Sequence, residues 1–298
     1  MSIIKSWPEA KAIIFILAAS ILYGSVGTIV KLIDMDHLHT TTLVFYRVFI
    51  ATITLFVCLI LTKSDFRFRR DELKLNTLMG ILLVLAFGTY TVANVFAPIQ
   101  NVSILSSMAP FAVIILAYIF LREKISRHEL FSLLVAFSAI IIMNSIKLAN
   151  NIGNILAILN SVVVAIILII EKKKAITGNV GFIFRNSVVT CLFLIPAPLI
   201  FGFGALSSKD IGLLLLLGVG TGIASFLAFQ ALKYMNVGRL SIIESIATPL
   251  AAIILGIVII HEALTLSIII GGILLICASV FLKIRRLNLR SRMNQARP

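Results

Sequence analysis

Long apolar stretches recur along this entire chain, separated by short polar segments. Ten can be marked off, at roughly 12–33, 42–62, 75–97, 101–121, 128–146, 153–171, 181–201, 211–232, 240–260 and 264–283. Each is close to the ~20 residues that a helix needs to cross the ~30 Å hydrocarbon layer of a bilayer. Strands of a membrane barrel would be about half as long and would alternate polar with apolar positions, which these do not. The pattern predicts an all-α integral membrane fold of ten transmembrane helices, with connections too short to hold a soluble catalytic domain. The first stretch exceeds a signal-peptide core, has no clear small-x-small cleavage site and is followed by nine more, so it reads as a span.

Composition agrees with the pattern. Hydrophobic residues make up 60% of the 298 and charged residues 13%, too few to cover the wet surface of a soluble protein of this length. The net charge of +14 would suggest nucleic acid in a soluble chain, but its distribution points elsewhere. Of the 26 Lys and Arg, 21 fall in segments on the side of the N-terminus, three (Lys31, Lys147, Lys209) on the opposite side, and Arg47 and Arg185 inside spans. By the positive-inside rule this split predicts both termini in the cytoplasm, and the plasma (inner) membrane is the expected location. The basic tail, 285–298, then reads as membrane-surface charge, and no nucleic-acid partner is expected.

An internal repeat runs through the spans. Ser106, Pro110 and Glu123 recur as Ser245, Pro249 and Glu262 at a constant shift of 139, Arg47 recurs as Arg185 at 138, and Lys31 as Lys172 at 141. A unit of five spans is odd, so a second copy must enter the membrane upside down. The cations behave accordingly. Glu123 is flanked by Arg122 and Lys124, whereas Glu262 is flanked by His261 and Ala263, so positive charge follows the side of the membrane and not the repeat. The expected organisation is a first five-helix repeat over 1–147, a second, inverted one over 152–284, and the tail.

On these residues the chain resembles the drug/metabolite transporter superfamily, EamA type. The marks are two five-helix halves, a Lys closing the first helix of each (Lys31, Lys172), an Arg early in the second (Arg47, Arg185), and a mid-helix Pro followed by a Glu ending the fourth (Pro110 with Glu123, Pro249 with Glu262). One departure is the aromatic-Gly pair of the first helix, Tyr23-Gly24 in one half but Val164-Ala165 in the other. The resemblance implies architecture and transport, not a particular substrate.

Several residues are candidates for carrying that transport. Proline inside a helix removes an N–H and clashes with the carbonyl four residues back, which is Ser106 for Pro110 and Ser245 for Pro249. Freed carbonyls in hydrocarbon need partners, and a substrate can be one, with the Ser106 and Ser245 hydroxyls or neighbouring helices as the alternative. Glu244 lies one turn inside the ninth span, where a carboxylate costs roughly 2.5–3.5 kcal/mol on insertion scales. It is a candidate to bind a cationic group or carry a coupling proton, with snorkelling towards Arg239 or Lys233 as the alternative. Arg47 and Glu262 share one depth and Arg185 and Glu123 the other, so each couple is a candidate gate pair, with anchoring of each half or snorkelling as the alternative. Tyr23, Tyr90, Asn94, Asn160, Ser161, Thr221, Ser225 and Gln230 are polar near mid-membrane, able to bind a polar ligand or to join helices; Gly218 and Gly222 form a helix-packing step.

Other features are read as structural. Cys58, Cys191 and Cys277 lie inside spans without metal-ligand spacing, and Asp34, Asp36, His37 and His39 read as a solvated loop, so neither metal nor cofactor is expected. No P-loop pattern points to ATP. The sequence thus favours a secondary transporter moving a small polar metabolite, an amino acid or related compound, by alternating access, with proton or counter-substrate coupling and oligomeric state open. A passive channel fits the same features. An intramembrane enzyme would need a motif such as H-E-x-x-H, and His261-Glu262 lacks the second His.

Overall fold

Apolar segments of this length satisfy their backbone hydrogen bonds in lipid by becoming helices, and among the described residues they do so. The computed structural model describes residues 7–68, 70, 72–121, 127–142, 152–174, 180–234, 237–274 and 276–278. Glu123, Lys147, the side chain of Lys172 and the basic tail lie outside the described residues. The helices are α1 (Trp7–Leu32), α2 (Thr40–Leu61), α3 (Leu73–Phe96), α4 (Ile99–Ser106), α5 (Ala109–Leu121), α6 (Arg127–Ile142), α7 (Ile152–Lys174), α8 (Val180–Leu194), α9 (Pro196–Phe201), α10 (Ser208–Ala231) and α11 (Val237–Ile260). A shorter apolar helical stretch, Leu266–Ala278, follows. Taking α4 with α5 and α8 with α9 as single crossings, eight spans among the described residues are long and apolar enough to cross a bilayer. Residues such as Ile14, Val258, Leu199 and Ile200 face outward, each more than 60% exposed, as lipid-facing side chains should.

Local chemistry sets the ends of the helices. His39 caps α2 by accepting from the Thr41 N–H at 3.3 Å, and its ring stacks on Phe201. Ser207 and Asp210 form a reciprocal capping box at the start of α10. Gly202, at φ 81°, terminates α9 in a conformation that favours glycine.

Packing order is the informative feature. α1 packs on α10, α10 on α2, α2 on α8, α8 on α3, α3 on α7, α7 on α4 and α5, α4 on α11, and α11 back on α1. These contacts close a ring in which α1, α2, α3 and the α4/α5 pair each sit between two helices from after residue 150, with α6 outside it against α5. Small residues permit the close approaches. A Cβ on Gly24 would lie 2.8 Å from the Ala251 Cβ and 2.9 Å from the Thr248 carbonyl oxygen, so α1 meets α11 backbone to backbone there. Gly222 does the same for α10 against Ala51 and Thr54 of α2, which makes the Gly218/Gly222 step a packing step as its spacing suggests.

Candidate functional site

The two prolines of the repeat act differently. Pro110 stands second in α5, after a break at Ser107 and Met108 that separates α4 from α5. Pro249 is carried inside the continuous α11. Across the break the backbone stays hydrogen-bonded, the Ser107 N–H donating to the Ser103 and Ile104 carbonyls and the Met108 N–H to the Leu105 carbonyl. The Ser107 hydroxyl donates to the Ser103 carbonyl at 2.8 Å, while Ser106 reaches the Ala157 carbonyl on α7 at 3.5 Å. A third proline, Pro196, divides α8 from α9, which the sequence reading did not mark.

The broken helix borders a cavity of about 360 Å³ inside the ring. Its wall includes Tyr23, Arg47, Tyr90, Ser106, Pro110, Glu244 and Ser245, together with Asn160, Thr221 and Ser225. The remaining substrate-binding candidates Asn94, Gln230 and Pro249 are not among the described residues that line it. Asn94 is buried, donates to the Tyr90 carbonyl of its own helix at 2.8 Å and packs against Gly27 of α1. Periodicity along a sequence places a polar residue at a depth but not on a face, and these three point elsewhere.

Arg47 forms the cavity's roof. It is 2% exposed; its Nε donates to Thr221 at 3.0 Å, its Nη1 donates to Thr91 at 2.8 Å, and the guanidinium lies 4.9 Å from the centre of the Phe87 ring. A buried charge is tolerable only with such partners. The Tyr23 hydroxyl is bonded to Ser225 at 2.8 Å across α1 and α10, and Asn160 donates to the Ala86 carbonyl at 2.7 Å.

The gate pairs expected from depth take other partners in this conformation. Glu262 is not on Arg47. Its carboxylate accepts from the backbone N–H groups of Ile99 at 3.0 Å and Gln100 at 3.5 Å, capping the N-terminus of α4, where partial positive charge from the helix favours an anion. Gln100 in turn donates to the Ala263 carbonyl at 2.9 Å. Arg185 is paired with Glu72 at 2.6 Å, a residue hidden in sequence among the cations before α3. Its expected partner Glu123 lies outside the described residues.

The cavity is asymmetric. We call the side on which α1 begins and the α2–α3 connection lies the near face. Leu55, Met79, Ile167, Glu171, Ile183 and Leu232 carry the wall into the near-face half of the bundle. On the far side Val26, Ile29, Val30, Leu43, Leu214 and Leu217 pack into a closed apolar cluster. The far-side loops are tied across it, with the Asp34 N–H donating to Asp210 at 3.2 Å and Tyr46 to the Phe203 carbonyl at 2.9 Å. Glu171 is a wall residue that the sequence reading passed over, because Lys172–Lys174 follow it directly and it read as part of a charged helix end.

An all-helical bundle with a lipid-facing exterior and an internal cavity of small-molecule size is an integral membrane protein built to handle a solute. The chain belongs to the EamA-like transporter family, whose model matches it twice, over residues 10–145 and 151–284. An uncharacterized transporter of Archaeoglobus fulgidus is 25% identical to it over 226 residues, 74% of this chain and 80% of that protein. A crystal structure of another protein shares the fold with a TM-score of 0.66 at 13% identity, over 93% of this chain and 99% of the other. The protein is a membrane transporter, embedded in a lipid bilayer and acting on a small molecule.

Proposed function

We propose that the protein is a secondary transporter that moves a small polar metabolite, an amino acid or related compound, across the plasma membrane by alternating access. The observation that carries this is a cavity that runs into the near-face half of the bundle while an apolar cluster and loop ties close the far side, inside a ring of interleaved helices. Exchange α1 with α7, α2 with α8, α3 with α10, and α4/α5 with α11, and every contact in that ring maps onto a contact in it, α2–α8 and α4–α11 onto themselves. Two inverted five-helix repeats would produce this exchange symmetry, and with α6 and Leu266–Ala278 as outlying crossings the total is ten. The distribution of Lys and Arg makes the near face, and both termini, cytoplasmic, so this conformation is inward-facing. Tyr23, Tyr90, Ser106, Pro110, Glu244 and Ser245 contact substrate.

The gates in this reading are latches on helix ends. Glu262 holds the outer end shut by capping α4 at residues 99 and 100. The repeat shift of 139 relates Glu123 to Glu262 and residues 99 and 100 to Gly238 and Arg239. Glu123 would therefore cap α11 at the cytoplasmic end once the outer latch has opened. Counterflow in proteoliposomes tests the whole scheme. Amino acid or amine uptake should saturate and accelerate when the lumen is preloaded with the same compound; flux linear with the gradient and indifferent to preloading would identify a channel.

A further inference from the structure

Among the described residues that line the cavity, Arg47 is the one cation, and no carboxylate among the described residues pairs with it. The repeat shows what is missing. At the shift of 138 that relates Arg47 to Arg185, Glu72 corresponds to Asp210. Arg185 holds Glu72 at 2.6 Å, and it is not among the described residues on the cavity wall. Asp210 is committed elsewhere, accepting from the Asp34 N–H at 3.2 Å and the Ser207 N–H at 3.3 Å. The arginine with a counter-ion thus lies off the cavity, and the arginine without one lies on it.

Arg47 also has donors to spare. Thr221 and Thr91 take one N–H on Nε and one on Nη1. A guanidinium has five, so both N–H groups of Nη2 and the second of Nη1 remain, enough for the two oxygens of a carboxylate. Two hydroxyls on the same wall point the same way. Tyr90 lies within electrostatic range of the guanidinium, with Ser103 beside its hydroxyl. Both hydroxyl oxygens are buried, and neither meets a partner in hydrogen-bonding geometry. A charge kept from water among unused donors lacks an acceptor, and a carboxylate is acceptor only.

The charged residues of the wall are sorted by depth. Arg47 is seven residues into α2 from its far-face start, whereas Glu244 is seven into α11 from its near-face start and Glu171 three from the near-face end of α7. An anion at the roof is therefore set away from both carboxylates. One guanidinium balances one negative charge, and a phosphate dianion would bring a second into a largely apolar space. Leu83, Phe87 and Ile183 offer contact to a hydrocarbon or aromatic body. We infer that the substrate carries a carboxylate, bound at the roof of the cavity by Arg47 with the hydroxyls of Tyr90 and Ser103. The inference rests on the transporter reading and narrows it, and it makes Arg47 a binding residue and not half of a gate.

Matched acids and amides test this on the full-length protein. Phenylalanine and leucine are compared with phenylalaninamide and leucinamide, which keep the ammonium and the body but lose the carboxylate, by calorimetry and counterflow. The acids are expected to bind and exchange, with the amides at least about tenfold weaker. 3-Phenylpropionate should compete with phenylalanine, and phenyl phosphate, a dianion at neutral pH, should not. In Arg47→Gln the acid-to-amide preference should collapse; a merely structural Arg47 would weaken acid and amide alike and keep the preference. Tyr90→Phe and Ser103→Ala remove hydroxyls that hold nothing else, so each should leave Tm and amide binding unchanged and weaken the acids by about three- to tenfold. These two variants also serve where Arg47→Gln fails to fold. Amides binding as tightly as acids overturn the inference, as do acid affinities unchanged in both Tyr90→Phe and Ser103→Ala, competition by phenyl phosphate without 3-phenylpropionate, or no response to any probe. Counterflow separates the two levels: amides that exchange where acids do not sink the carboxylate seat while transport stands. Acids that bind with the expected preference but never show trans-accelerated exchange support the seat and count against transport.

Discussion

Arg47 shows what a single residue contributes here. Its charge is held by hydroxyls on two other helices, Thr91 of α3 and Thr221 of α10, so it fastens the roof of the cavity to three elements at once. Thr221→Val keeps the shape and removes the acceptor of the Nε–H. It should lower stability by about 1–3 kcal/mol, the cost of stranding a buried charged donor, seen as a reduced Tm in detergent; an unchanged Tm would show that water takes over the bond. Arg47→Lys should fare no better, since an ammonium cannot hold both threonines and stack on Phe87. Arg47 and Arg185 were visible in the sequence as charges in apolar runs. Their partners were not, because Thr221 is 174 residues from Arg47 and Glu72 is 113 from Arg185. Glu171 was masked by the lysines that follow it. A sequence shows where charge enters the membrane but not which way it turns.

At the scale of elements, the spans were legible and their interruptions only partly so. Hydrophobic runs located all eight long crossings to within a few residues, since length and apolarity are what the bilayer demands. Proline was ambiguous, because its effect depends on the neighbours that accept the freed groups. Pro110 and Pro196 mark breaks, whereas Pro249 is absorbed by α11. Glycine is more decisive. Gly24→Ala would push a methyl into backbone atoms of α11 that cannot rotate away, so it should cost about 1–3 kcal/mol and weaken ligand binding through Tyr23 beside it. Gly88→Ala is the control. Nothing lies within 4 Å of a Cβ there, and the gain in helix propensity of up to about 1 kcal/mol should leave Tm unchanged or higher. Equal losses at both positions would mean that general helix disturbance, not the α1–α11 contact, is being measured.

For the molecule as a whole, the proposed latch makes a kinetic prediction. Glu262→Gln removes the charge that caps α4 and should favour outward opening by about 0.5–2 kcal/mol. In a background with Cys58, Cys191 and Cys277 replaced, an impermeant maleimide on intact cells should label Lys209→Cys at once and Arg67→Cys not at all. Val26→Cys, 1% exposed in the closed far-side cluster, should react slowly, and several-fold faster when combined with Glu262→Gln. Equal rates with and without Glu262→Gln would remove Glu262 from the gate, and labelling of Arg67→Cys would reverse the orientation.

The interleaved ring also bears on how the protein is made. As the chain leaves the ribosome, α1 to α5 enter the bilayer before any of the helices that flank them in the ring exist. Arg47 must wait in lipid or at its edge until α10 brings Thr221, and Gly24 faces no helix until α11 arrives. Tertiary structure can thus close only late, after the second half is inserted. During that interval the nascent protein displays buried polar groups and small-residue seams to the membrane, the signals by which insertion chaperones and membrane proteases tell unfinished chains from finished ones.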